Sequence, residues 1–274
     1  MSKTIFITGA SRGLGKIWTE AFLKRGDNVI AAVRNLESLN DLSAEYPSTL
    51  KVVKLDITDR ESCFKVVKEA KSYFGKIDVL INNAGYGHIG AIEELTESEV
   101  RAQIETNLFG LIWVTQAILP IMREQGFGHL IQVSSALGTA VLPTMGIYSA
   151  SKFAVEGLNE TLALEVKNQG IKVTILEPNG FATDFSVSSF AQSTPLPIYD
   201  NVRQTIGARQ GARTEDVGDP QATAKAILTL VDAEEPPLRL ILGKAALPWF
   251  KTTYEERLKT WEDWQHISVP AHGN

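Results

Sequence analysis

The sequence predicts an α/β fold, a doubly wound parallel sheet of about seven strands in a three-layer αβα arrangement. Three observations lead there. Short apolar runs alternate with helical patterns along most of the chain. The runs are rich in Val, Ile and Leu on both faces, as strands covered by helices on each side must be. The first run passes through a glycine-rich turn into a helix, which opens a βαβ unit.

The elements follow in order. Strands are expected at Thr4–Thr8, Asn28–Val33, 51–55, Val79–Asn82, 129–134, 172–177 and 238–242. Helices are expected at 15–25, Arg60–Phe74, 97–123, 149–169 and 220–233. The longest apolar run, 108–121, reads as a buried helix that stops at Pro120. Residues 181–219 are rich in Ser, Thr, Gly and Gln and contain Pro195 and Pro197, the profile of a long excursion over a site. Residues 1–246 are therefore expected to form one domain, with 247–274 as an amphipathic, aromatic extension. In that extension Trp249, Phe250, Tyr254, Trp261 and Trp264 stand among charges, and 250–264 reads as a helix docked on the domain's own core.

Composition narrows the function classes. A chain of 274 residues with 44% hydrophobic and 22% charged residues is globular rather than disordered. One cysteine, Cys63, excludes an internal disulfide scaffold. The net charge of −5 leaves no basic footprint for nucleic acid. No signal peptide or membrane span is expected, and a cytoplasmic location is the simplest reading.

The turn after the first strand is Thr8-Gly9-Ala10-Ser11-Arg12-Gly13-Leu14-Gly15. Glycines let the backbone approach a pyrophosphate, and the helix N-terminus supplies free N–H groups. The spacing is G-x-x-x-G-x-G rather than G-x-G-x-x-G. At the end of the second strand stands Val33-Arg34, where an NAD-binding chain would carry a carboxylate for the ribose 2′-hydroxyl. Arg34 and Arg12 together suit a 2′-phosphate and favour NADP(H).

Three further segments carry chemistry. Asn82-Asn83-Ala84-Gly85 follows the fourth strand, Ser134-Ser135 the fifth, and Tyr148-Ser149-Ala150-Ser151-Lys152 opens the next helix. Four residues apart, Tyr148 and Lys152 share a helix face. An ammonium beside a phenol is expected to lower the phenol's pKa, so that Tyr148 exchanges a proton with a carbonyl or alcohol near neutral pH. Ser135 is placed to hydrogen-bond the same oxygen.

With these motifs in this order, residues 3–243 resemble the short-chain dehydrogenase/reductase family, in its single-domain branch. The T-G-x-x-x-G-x-G turn spans Thr8 to Gly15, N-N-A-G spans Asn82 to Gly85, and Y-x-x-x-K spans Tyr148 to Lys152. The resemblance implies a Rossmann-type fold, a nicotinamide cofactor and hydride transfer between alcohol and carbonyl. It implies that Tyr148 is the general acid/base, that Lys152 tunes it and holds the nicotinamide ribose, and that Ser135 polarises the carbonyl. Asn107 matches the asparagine that supports a proton-relay water. Asp56 and Ile57 fall at the adenine, and Asn83, Ala84 and Gly85 lie beside the nicotinamide-side ribose. Pro178 and Gly180 fall after the sixth strand, and Thr183 at the nicotinamide carboxamide. Asn179 stands within the family's P-G step and adds a polar side chain near the nicotinamide. A homodimer or homotetramer through the helices at 97–123 and 149–169 is also implied.

The substrate pocket is expected from Ala136, Leu137, Leu142, Met145, Asn179, Phe181, Phe185 and Phe190, a lining that suits an apolar ketone, aldehyde or secondary alcohol. No metal is expected, because His88, His129, His266, His272 and Cys63 lack ligand spacing. The histidines read as surface or loop residues, with His88 the one able to face the pocket. Cys63 reads as core, and the pairs Glu93-Glu94 and Glu255-Glu256 as solvated charges. Two rivals remain. A catalytically silent NADP-binding regulator would have lost a member of the set Asn107, Ser135, Tyr148 and Lys152, and an epimerase or dehydratase would need a larger C-terminal domain. A G-x-S-x-G elbow is absent, which argues against an esterase.

Overall fold

Strand β1 (Thr4–Thr8) is buried along its whole length and lies third in a seven-stranded parallel sheet. The other strands are β2 (Asn28–Val33), β3 (Leu50–Lys54), β4 (Val79–Asn82), β6 (Gly128–Val133), β7 (Ile171–Pro178) and β9 (Arg239–Leu242), in the order β3-β2-β1-β4-β6-β7-β9. A computed structural model describes residues 2–182, 190–211 and 217–273. The chain winds outward from β1 to β3, then returns to the other side of β1 at β4. That reversal opens a crevice at the carboxyl ends of β1 and β4.

Side chains alternate between two helical layers. Ile5, Ile7, Val29, Ala31 and Val33 face Trp18, Phe22 and Leu23 of α1 (Gly13–Arg25) and Ile227, Leu230 and Val231 of α8 (Thr223–Asp232). Phe6, Ile30, Ala32 and Leu80 face Cys63, Val67 and Ala70 of α3 (Arg60–Phe74) and Val114, Ile118 and Met122 of α5 (Leu111–Gln125). The same layer includes Leu162 and Val166 of α6 (Gly146–Val166). The expected three-layer Rossmann-type αβα fold is what the chain forms.

Several elements depart from expectation. The helix predicted at 97–123 is three pieces: α4 (Glu97–Ile104), a π-helical turn (Glu105–Gly110) and α5. It does not stop at Pro120. That residue sits on the exposed face of α5, as does Gln116, whose carbonyl loses its partner to the ring and can be hydrated. Nor is the run buried all round, since Phe109 is exposed. By length and composition alone Glu97–Gln125 could cross a membrane, but its apolar face already packs on the sheet and α3.

The excursion is structured where it is described. Strand β8 (Phe190–Gln192) pairs in parallel with β5 (Gly87–Ile89), and α7 (Asp200–Gly211) follows. Neither strand was expected, and neither was α2 (Asn40–Glu45). The tail forms α9 (Ala246–Asp263) and α10 (Gln265–Ser268). It docks on the core through Ala246, Phe250 and half-buried Trp249, and Arg257 lies over the ring of Phe153 on α6 at 5.6 Å. Tyr254, Leu258, Trp261 and Trp264 are exposed, so most of the aromatic face is not spent on the chain's own interior.

Candidate active site

The turn after β1 is built for close approach. Gly9 and Gly13 have φ of +67° and +56°, a region costly for side-chain-bearing residues. A Cβ on Gly9 would lie 2.9 Å from the Cα of Ala84, and one on Gly15 would lie 2.3 Å from the carbonyl oxygen of Gly9. Asn83 locks the turn: its Nδ2 donates to the carbonyls of Thr8 and Gly9, both at 3.1 Å. Thr8 Oγ1 in turn accepts from the N–H groups of Asn83 and Ala84. The Asn83 amide is therefore a strut of the turn.

Helix α1 begins at Gly13 with no side-chain cap from Arg12 and no acid in its first turn. Its leading N–H groups are left for an anion, and the residues present fit a dinucleotide phosphate. Arg12 and Arg34 are exposed and line the same cleft. Among the described residues, neither has an ion-pair partner. Asp56 is held in an Asx-turn by the N–H and hydroxyl of Thr58, at 3.0 and 2.8 Å. Ile57 packs against Gly110, beyond it.

The cleft, of about 2370 Å³, continues from these residues to Ser135, Tyr148 and Lys152. Ser135 caps a short 3-10 turn, its Oγ accepting from the Leu137 N–H at 3.1 Å. Lys152 is buried, and its Nζ donates to the carbonyl of Val133 at 2.8 Å. Asn107 lies one layer behind, in the π-helical turn. Its Nδ2 donates to the carbonyl of Tyr86 at 3.0 Å and to Ser151 Oγ at 3.1 Å, and its Oδ1 accepts from the Tyr86 N–H at 3.1 Å. A π turn of this kind shifts a helix by one residue and is common at functional sites.

The sign of the Tyr148 shift corrects the sequence expectation. Burial pushes the phenol up to about 12, and its hydrogen bond with Ser135 only partly offsets this. Burial also brings Lys152 down to about 8, against the pull of Glu156. Desolvation outweighs the attraction expected between the two side chains, because both leave water together. At neutral pH the chain by itself holds a protonated phenol.

The other end of the cleft, where the substrate pocket was expected, combines predicted and unpredicted residues. Leu137, Met145 and Tyr148 form one buried cluster with Ile89, Phe190 and Trp249 packed against it. Ala136 belongs to the neighbouring cluster with Phe250, while Leu142 sits exposed on the rim. Phe181 lines the cleft with its ring against Gly218. Asn179 lines the cleft, with its amide tucked against Gly243 (φ +102°) and, among the described residues, no hydrogen-bond partner for its buried Oδ1. Pro178 and Gly180 line the cleft, and Thr183 and Phe185 lie outside the described residues. Ile89, Val202, Ile206 and Trp249 went unforeseen, because each comes from an element whose place depends on contacts distant in sequence.

Two polar clusters fix the excursion. Glu94, expected to be solvated, is buried and accepts from the N–H groups of Ala91 (2.7 Å) and Leu196 (2.6 Å) and from Arg203. The Arg203 hydrogen bond, with the two backbone bonds, draws its carboxyl down to about 2. His88 is also buried rather than superficial. Its Nε2 lies 2.8 Å from Ser193 Oγ, which donates to Glu99 at 3.1 Å. His129 is likewise interior, bonded to Thr174 at 3.0 Å and lowered to about 4 chiefly by burial. Cys63 is core, as expected, with its thiol pushed up to about 12 by burial. The described residues hold no group of three or more metal-ligating side chains.

A short chain dehydrogenase profile matches residues 3–194. The chain is 39% identical to Oxidoreductase BOA17 of Botryotinia fuckeliana, over 99% of this chain and 100% of that one. A short-chain dehydrogenase from Streptomyces avermitilis superposes with a TM-score of 0.91 at 38% identity, covering 98% of both chains. A short chain dehydrogenase from Burkholderia cenocepacia, solved in complex with NADP, superposes with a TM-score of 0.75 at 26% identity, covering 96% of this chain and 97% of that one. The chain belongs to the short-chain dehydrogenase/reductase family.

Proposed function

We propose that the chain is an NADP(H)-dependent oxidoreductase of the carbonyl reductase or alcohol dehydrogenase type, acting on an apolar ketone, aldehyde or secondary alcohol. The observation that carries this reading is one cleft with an anion-ready glycine turn at one end and Tyr148, Ser135 and Lys152 at the other. Bound in that cleft, NADPH would supply the hydride. Arg12 and Arg34 would hold its 2′-phosphate, a bidentate task suited to guanidinium groups.

Tyr148 donates its phenolic proton to the carbonyl oxygen as charge develops there, and Ser135 donates a hydrogen bond to the same oxygen. A phenol held above its ordinary range is protonated at pH 7 and so stands ready as the acid for reduction. Lys152, as an ammonium, favours the phenolate that remains. Asn107 braces the Tyr86 segment and Ser151 behind this group. The clustered Leu137, Met145, Phe190 and Trp249 exclude water and favour an apolar substituent.

The test is NADPH consumption, followed by absorbance, across aryl ketones, steroids, acyl thioesters and polyols. Turnover of apolar ketones is expected, and activity confined to polyols would reject the substrate class. Tyr148→Phe should lower turnover by about 10²–10⁴-fold while leaving NADPH binding intact. Full activity in that variant would overturn the assignment.

A further inference from the structure

Behind the wall that carries Ser135 and Lys152, two carboxyl groups are buried next to one another. Glu156 follows Lys152 by one turn of α6 and is 7% exposed, and Glu177, near the end of β7, is 2% exposed. Glu177 Oε1 accepts from the Thr139 hydroxyl at 2.9 Å. Glu156 Oε2 accepts from Arg239 Nε at 2.9 Å, and the other arm of that guanidinium goes to Glu160 at 2.8 Å. The Glu156 Oε1 side faces Ser134: a Cβ on Gly138 would lie 3.2 Å from that oxygen and 2.5 Å from Ser134 Oγ.

The charged groups that meet here are few. Helix α6 contributes Lys152, Glu156 and Glu160, β7 contributes Glu177, and β9 contributes Arg239. From the segment 134–139, packed across them, the Ser134 and Thr139 hydroxyls reach the pair. Arg239 divides its donors between Glu156 and Glu160, and Lys152 spends a hydrogen bond on Val133. Among the described residues, no guanidinium or ammonium is hydrogen-bonded to Glu177. Two neighbouring buried carboxylates, with a guanidinium bonded to Glu156 and none to Glu177 among the described residues, cannot both ionise cheaply. Both carboxyls are raised above the ordinary range, each first by burial, and Glu177 next by the charge of Glu156.

We propose that Glu156 and Glu177 share one proton as a carboxyl–carboxylate pair, and that the negative charge left on Glu156 makes it a positioning residue that keeps Lys152 an ammonium beside Tyr148. The pair also ties three pieces of the site together: α6 with Tyr148 and Lys152, the 134–139 segment with Ser135, and β7. The second half of the proposal rests on the catalytic reading of Lys152. The first half does not.

The test uses the whole chain without any turnover. Infrared difference spectra at pH 7 compare the wild type with Glu177→Gln, and the lysine Nζ resonances of isotope-labelled protein are titrated by NMR. The wild type should show a protonated-carboxyl stretch that is lost in Glu177→Gln. The Lys152 midpoint should fall by about one unit in Glu156→Gln, as expected on removing an adjacent opposite charge, and by less in Glu177→Gln. A wild type without that stretch, or a Lys152 midpoint unmoved in Glu156→Gln, overturns the proposal.

Glu177→Gln replaces an acid that already carries the proton, so the fold survives and the first half stays decidable if Glu156→Gln misfolds. Where both variants fold and a reducible ketone is found, the alkaline limb of the kcat profile should move with the Lys152 midpoint. A merely structural role would lower kcat without moving it. Failure to reduce any ketone would count against the catalytic reading and leave the spectroscopic outcome readable.

Discussion

The two halves of the cleft are held by different means. At the glycine turn, backbone meets backbone: Gly9 against Ala84, Gly15 against Gly9, and the Asn83 amide on the carbonyls of Thr8 and Gly9. At the substrate end, side chains far apart in sequence do the holding. Arg203 reaches Glu94 across 109 residues, Ser193 reaches His88 across 105, and Trp249 packs on the Tyr148 cluster. The first half tolerates little variation, because a lost ångström has nowhere to go. The second can be re-cut by exchanging a few side chains, which suits a surface that must match a substrate.

Four substitutions would break or sharpen that contrast. The largest effect is expected from Gly15→Ala, which forces a Cβ into the Gly9 carbonyl. Overpacking of this kind costs about 1–3 kcal/mol, so a lower Tm and loss of NADPH binding by fluorescence titration should appear together. Next is Arg34→Ala. A charged hydrogen bond contributes about 1.5–3 kcal/mol, so the NADPH-to-NADH ratio of kcat/KM should fall about 10–100-fold. An unchanged ratio would leave the 2′-phosphate without its proposed partner.

Arg203→Ala sits in the other half. It leaves Glu94 a buried carboxylate without its guanidinium, so the excursion should loosen. Steady-state kinetics should show KM for the ketone rising about tenfold, the signature of lost ground-state binding, with the NADPH Kd unchanged. Equal effects on both constants would show that the halves are not independent. The smallest effect is expected from Trp249→Ala, which enlarges the substrate end without touching the turn. The preference for a bulky over a small ketone should rise about threefold, in keeping with pocket contacts of a methylene or two.

The same contrast explains what could be read in advance. The positions of the seven strands, the glycine turn, Ser135, Tyr148 and Lys152 were legible because each lies within a short, continuous stretch whose pattern is local. The split at 105–110 was not, because a π turn follows from how Asn107 seats on Tyr86 and Ser151, which spacing does not encode. The burial of Glu94 and of His88 was not legible for a related reason. Burial of a polar side chain depends on a partner, and Arg203 and Ser193 lie about a hundred residues away. The Tyr148 shift was read with the wrong sign, since adjacency on a helix reveals attraction and says nothing about how deeply the pair is covered.

Gly87 carries a consequence of its own. The ring of Phe190 occupies the space where a side chain at that position would stand, with one ring carbon 2.2 Å from the vacant Cβ site. The aromatic face is thus both the wall of the cleft and the spacer that sets how close β8 comes to β5. Width and register form one mechanical coordinate. A methyl group added at Gly87 would act like a shim, moving the wall, the strand and the Ser193 latch outward by a common step, so the bore of the cleft is calibrated from the far strand.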